Sequence, residues 1–174
     1  ESYMKVLKFG GSSVANPENI LKVAAIVGSA ADSGPCAVVL SAMQGTTDKL
    51  IDAGKMAERG DDGFLEKLAE IRSKHFEAIA ELFAENVPDD LLEFVETATA
   101  DLENICEGVT RVRELSGRTL DRILSFGELV SSRILSELLK LQGLENQWLD
   151  SRLVIRTHNN YGFAAVDFDD TDRR

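Results

Sequence analysis

Lys8 closes an apolar run and stands two residues ahead of a glycine pair, in Lys5-Val6-Leu7-Lys8-Phe9-Gly10-Gly11-Ser12-Ser13. A strand that ends in glycines lets backbone N–H groups come close to an anion, and a lysine just before the turn adds a positive charge. That combination suits phosphate chemistry. Standing alone it fits an ordinary strand and turn equally well, so the rest of the chain must decide. Ser41-Ala42-Met43-Gln44-Gly45-Thr46-Thr47 follows a second apolar run and offers hydroxyls around another glycine. Ser125-Phe126-Gly127-Glu128 lies inside a strongly apolar helical stretch. A glycine there costs about 0.8–1.0 kcal/mol relative to alanine, which points to close approach by another segment. Glu128 either lies on the exposed edge of its helix or is a carboxylate among apolar neighbours that needs a partner, and a bound ammonium group would serve.

The elements that must position these residues can be read from periodicity. Val6-Leu7-Lys8-Phe9 is a predicted strand; Asn16-Pro17 then offers an N-cap with proline at the first helical position. Ile20, Val23, Ala24, Val27 and Ala31 continue as one helical stripe until Ser33-Gly34-Pro35, and Ala37-Val38-Val39-Leu40 reads as a strand covered on both faces. Strand, helix and strand make a parallel, right-handed unit whose ligands are expected beyond the carboxyl ends of the strands, where Lys8 to Gly11 and Ser41 to Thr47 sit. A helix is expected from Thr47 to about Arg59. Beyond Gly60-Asp61-Asp62-Gly63, two long stripes, Phe64 to Phe83 and Leu91 to Val109, predict two antiparallel helices. Their polar faces show no convergent chemistry, so the block from about 60 to 118 is expected to be an insertion that covers the sheet flank or meets a partner. A further helix is expected from Thr119 to Leu141, then strands at Gln147-Trp148-Leu149-Asp150 and, as a short strand or its flank, Val154-Ile155-Arg156-Thr157. His75, on an apolar stripe, reads as a structural histidine, and His158 as a solvated loop residue.

The chain has 174 residues, 44% of them hydrophobic, enough for a buried core in one domain or a large piece of one. A formal charge of −11 argues against a general nucleic-acid or membrane-surface role, because such partners would be repelled. No apolar stretch approaches the roughly 20 residues of a membrane span, and no signal-peptide core is visible, so a cytoplasmic protein is expected. Cys36 and Cys106 have neither disulfide nor zinc spacing and read as two buried thiols. Glu1-Ser2-Tyr3, ahead of Met4, reads as an added leader.

The lysine precedes the glycines, which is the wrong order for a P-loop, and no G-x-G-x-x-G opens a helix. Taken in order, Lys8-Phe9-Gly10-Gly11-Ser12-Ser13-Val14-Ala15, Val39-Leu40-Ser41-Ala42 with Gly45-Thr46-Thr47-Asp48, Ser125-Phe126-Gly127-Glu128, and Gln147-Trp148-Leu149-Asp150 with Val154-Ile155-Arg156-Thr157 resemble the N-terminal half of aspartate kinase. The resemblance is strongest to the monofunctional, lysine-sensitive type and covers the chain from Met4.

It implies an α/β, three-layer αβα amino acid kinase (carbamate kinase-like) fold, here its N-terminal half over 4–174, with a mostly parallel sheet and the helical insertion at about 60–118. It further implies transfer of the ATP γ-phosphoryl group, with MgATP as substrate, to the side-chain carboxylate of L-aspartate, the first step towards lysine, threonine and methionine. By this resemblance Lys8 is catalytic and, with Gly10, Gly11 and Ser12, holds the ATP phosphates, while Ser41 and Thr47 contact aspartate and Glu128 pairs with its amino group. Magnesium comes with the nucleotide, and no protein metal ligand is implied. Ser12 keeps the hydroxyl of the family's usual threonine, whereas Asp48 replaces a common asparagine. The family's serine-aspartate pair, substrate-binding arginine and adenine site have no counterpart in this sequence. The chain is therefore expected to be a fragment without turnover of its own, from a homo-oligomeric parent. The alternatives are a non-catalytic aspartate-binding or dimerisation module, or a sister amino acid kinase.

Overall fold

The computed structural model describes residues 3–173; Glu1 and Ser2, read above as part of an added leader, lie outside them, as does Arg174. Strand β1 (Lys5–Phe9) and strand β2 (Cys36–Leu40) pair in parallel, with Lys5 opposite Cys36 and Phe9 opposite Leu40. Helix α1 (Pro17–Ala31) connects them, so the predicted strand–helix–strand unit is present. Its start is set as the sequence implies: the Asn16 side chain accepts from the Asn19 N–H, with proline in the first turn. Alternation places Leu7, Phe9, Val38 and Leu40 towards the core, while Val6 and Val39 are exposed.

Helix α2 (Thr46–Arg59) starts one residue before the expected position, after Gly45 with φ 78°, a left-handed conformation that favours glycine. Helices α3 (Phe64–Phe83) and α4 (Asp89–Val112) form the insertion. They are joined by a short reversal over 84–88, and the Arg72–Glu96 ion pair ties the two helices together. The pair packs on α2 and on helix α5 (Gly117–Leu141) rather than on the flank of the strands. Leu50, Ile71, Ile79, Leu91, Val95 and Ile123, each at most 1% exposed, make the common core. Burying a side chain of this kind contributes roughly 1.5–3 kcal/mol, so helix–helix packing dominates the stability of this part of the chain.

Three expectations are corrected. Gln147 to Asp150 is not a strand: Trp148 instead donates its indole N–H to Ser132 Oγ at 3.0 Å and lies edge-on to Phe94, anchoring an irregular segment to α5 and α4. In the stretch from Val154 to Thr157, only Thr157 takes part in strand pairing, as an isolated antiparallel bridge to Val166. A short helix α6 (Phe168–Thr171) follows and was not foreseen. Cys36 is only half-buried, because it begins a strand at the sheet's edge; Cys106 is buried as expected, and burial pushes its thiol up to about 11. No helix among the described residues is long and apolar enough to cross a membrane.

Candidate active site

Three segments meet beyond the carboxyl ends of β1 and β2, and small residues are the reason they can. The Ser41 N–H continues the strand ladder by donating to Phe9 O at 3.0 Å, which carries Ser41 alongside the glycine turn. A Cβ on Gly11 would lie 3.0 Å from the Ala42 carbonyl oxygen, so the missing side chain is what lets the 42–44 backbone close on the turn. Gly127, in the middle of α5, meets the same loop from the other side. A Cβ there would lie 2.4 Å from the Ala42 Cβ and 3.6 Å from Thr46 Cγ2. The close approach expected at Gly127 is thus made by the Ala42–Thr46 loop. Gly10 has extended backbone, φ −79° and ψ 171°, and the position its Cβ would take is 3.8 Å from Lys8 Nζ.

All seven predicted site residues belong to these segments. Lys8, Ser12, Thr47 and Glu128 are exposed, and Gly10, Gly11 and Ser41 are half-buried. Glu128 takes the first of its two alternatives: it follows buried Gly127 on the open side of the helix, next to the loop. No hydrogen bond or ion pair among the described residues engages the side chains of Lys8, Ser12, Ser41, Thr47 or Glu128. The N–H groups of Gly11 and Ser12 open a short 3-10 turn and find no backbone acceptor among the described residues. The three segments therefore bring an ammonium, two amides, hydroxyls and a carboxylate to one end of the parallel strands. Such a set can take a ligand that carries both an anionic and a cationic group. Among the described residues no group of three or more His, Cys, Asp or Glu side chains is placed to hold a metal ion.

Three neighbouring residues were not singled out in the sequence. Ser131 donates its hydroxyl to Ser41 O at 2.8 Å; it lies one helical turn after Gly127 in an apolar helix, and that spacing was a usable signal. Lys74, from α3, donates to Gln44 O, so a polar face of the insertion does contribute to the site. Burial, then the nearby Lys49, holds the Lys74 ammonium below the usual lysine range. Nothing in the local sequence marks it, because its partner is 30 residues away. Thr46 is buried, and its Oγ1 has no partner. His75, fully buried, hydrogen-bonds Ile71 O through Nδ1 at 2.7 Å and lies edge-on to Phe126, which agrees with the structural reading.

The family model described as the amino acid kinase family matches residues 4–171. Aspartokinase 1 of Arabidopsis thaliana, a chloroplastic protein, is 34% identical over 149 residues, 84% of this chain and 25% of that protein. Lysine-sensitive aspartokinase 3 of Escherichia coli is 33% identical over 171 residues, 95% of this chain and 35% of that protein. The crystal structure of E. coli aspartokinase III in complex with aspartate and ADP superposes with a TM-score of 0.86 at 32% identity, covering 98% of this chain and 36% of that one. The chain thus spans about a quarter to a third of the length of these relatives.

Proposed function

Because the chain belongs to the amino acid kinase family, we propose that it forms the phosphate-loop side and much of the aspartate pocket of an aspartate kinase. The longer polypeptide transfers the γ-phosphoryl group of MgATP to the side-chain carboxylate of L-aspartate. The observation that carries this reading is the meeting of three segments, Lys8 to Ser12, Ser41 to Thr47 and Gly127-Glu128, at one end of the parallel strands. The aspartate and ADP bound by the similar E. coli enzyme support the choice of ligands.

A loosely bonded phosphoryl group in transit spreads negative charge over its outer oxygens, so catalysis consists mainly of positioning and charge stabilisation. Lys8 supplies the cation to that charge. The free amides of Gly11 and Ser12, with the Ser12 hydroxyl, hold phosphate oxygens, and Gly10 leaves room above the turn. Ser41 and Thr47 orient the aspartate, and the unpartnered carboxylate of Glu128 receives its ammonium group. Magnesium enters with the nucleotide phosphates as part of the substrate. Residues 4–174 constitute the N-terminal portion of the kinase domain, with 60–118 as a helical insertion. The parent is cytoplasmic and homo-oligomeric, and this segment alone produces no aspartyl phosphate.

In the full-length protein carrying this segment, Lys8→Ala is expected to lower kcat by about 10²–10³, the scale seen when a transition-state donor is removed. KM for aspartate should change only a few-fold. Equal losses in turnover and in aspartate binding would overturn the role given to Lys8. Glu128→Gln is expected to do the reverse, raising KM for aspartate before it affects kcat.

A further inference from the structure

A second cavity lies on the far side of the α5 turn that carries Glu128, between that helix and α4. Its volume is about 130 Å³. Phe94, Ala98, Leu102, Phe126 and Leu129 supply an apolar floor. A cavity of roughly 150 Å³ with such walls accommodates a benzene ring.

The mouth is polar and its charges are divided between the walls. Asp101 borders it from α4; Arg122 and Ser125 border it from α5, with Arg152 beside them. Arg152 is already committed. Its Nε and Nη2 bind the Asp150 carboxylate at 2.9 and 2.7 Å, and its Nη1 approaches Ser125 Oγ at 3.4 Å. Asp101 and Arg122 are exposed, and neither forms an ion pair among the described residues. Asp101, and Arg122, whose charge reaches Asp150 without forming an ion pair, thus face the same opening from opposite helices, above an apolar floor.

We propose that this cavity binds a small apolar zwitterion, a molecule with a ring-sized hydrophobic body and adjoining ammonium and carboxylate groups, as in the apolar α-amino acids. The body occupies the floor formed by Phe94, Leu102 and Phe126. The carboxylate meets Arg122 and the ammonium meets Asp101, while the Ser125 hydroxyl stays committed to the Arg122 carbonyl oxygen at 2.7 Å. A purely anionic ligand would face Asp101, and a purely cationic one would face Arg122 and Arg152. The site uses none of the residues assigned to phosphoryl transfer.

The test is a set of titrations followed by amide NMR shifts, with L-phenylalanine, phenylacetate and 2-phenylethylamine as probes. L-Phenylalanine is expected to give saturable shifts in 97–105 and 122–129, and each analogue lacking one charge to bind about fivefold more weakly, the scale of a partly exposed ion pair. Arg122→Met should abolish the preference over 2-phenylethylamine, and Asp101→Asn the preference over phenylacetate. Both positions are exposed, so unchanged shifts elsewhere will report an intact fold. Absence of saturable shifts, saturation centred on other residues, equal affinities for the three probes, or indifference to both substitutions would overturn the proposal.

Discussion

His75 makes the protein's stability depend on pH in a range where carboxylates contribute little. The ring is fully buried, Nδ1 is engaged by Ile71 O, Nε2 has no partner, and burial lowers its pKa to about 4. In the unfolded chain the value is about 6.5. Between these two values the unfolded state holds a proton that the folded state rejects, so stability is complete above about pH 6.5 and is lost as the pH falls towards 4. The full difference corresponds to roughly 3 kcal/mol. More than half of it, roughly 2 kcal/mol, falls between pH 7 and 5. Urea unfolding at pH 7, 6 and 5, followed by the fluorescence of the single Trp148, measures it. His75→Leu keeps a similar volume and removes the titrating group, so its midpoint should fall far less over the same interval. Equal losses in the two proteins would refute the reasoning, because the acid sensitivity would then arise elsewhere.

Other substitutions test the packing that holds the site. Gly127→Ala should destabilise by about 1–2 kcal/mol, since the strain of overpacking against Ala42 exceeds the gain in helix propensity. Adding Ala42→Gly should recover part of the loss in a double-mutant cycle, and a Gly127→Ala protein more stable than the parent would contradict the close contact. Arg133→Met should cost about 2 kcal/mol in urea unfolding. It leaves Glu137, whose side chain is 6% exposed, with Lys140 as its remaining partner. Replacing Glu137 by Met as well should restore most of that stability, since no unpaired buried charge would remain.

The strand–helix–strand unit and the long helices were legible because each carries its own periodicity and punctuation: Asn16-Pro17 starts α1, and Gly60 to Gly63 separates α2 from α3. The segments of the candidate site were legible for a different reason. Gly127 is small where helix propensity gives no motive, so it implied a neighbour without saying which, whereas Gly10 and Gly11 read as a turn open to an anion, and the approach of the 42–44 backbone to Gly11 was not implied. The misread secondary structure falls after Gly143. Gln147 to Asp150 has the apolar character of a strand, but pairing depends on a free neighbouring edge, and Trp148 and Asp150 form side-chain contacts instead. Lys74 was invisible because its partner is a backbone carbonyl, which any residue would have provided.

The loop from Ser41 to Gly45 is held by side chains at two of its carbonyls and pressed by two glycine-bearing backbones. Ser131 binds the carbonyl of Ser41, Lys74 that of Gln44, while Gly11 and Gly127 close on Ala42. Fixing a residue's backbone costs roughly 1–2 kcal/mol of conformational entropy, so ordering five residues at the moment of binding would consume on the order of 5–10 kcal/mol of affinity. Here that ordering is completed when the chain folds. Under the proposed function, a ligand entering between Lys8 and Glu128 would meet a loop with little freedom left to lose, and its selectivity would reside in the side chains of Ser41 and Thr47 rather than in any rearrangement of the backbone beneath them.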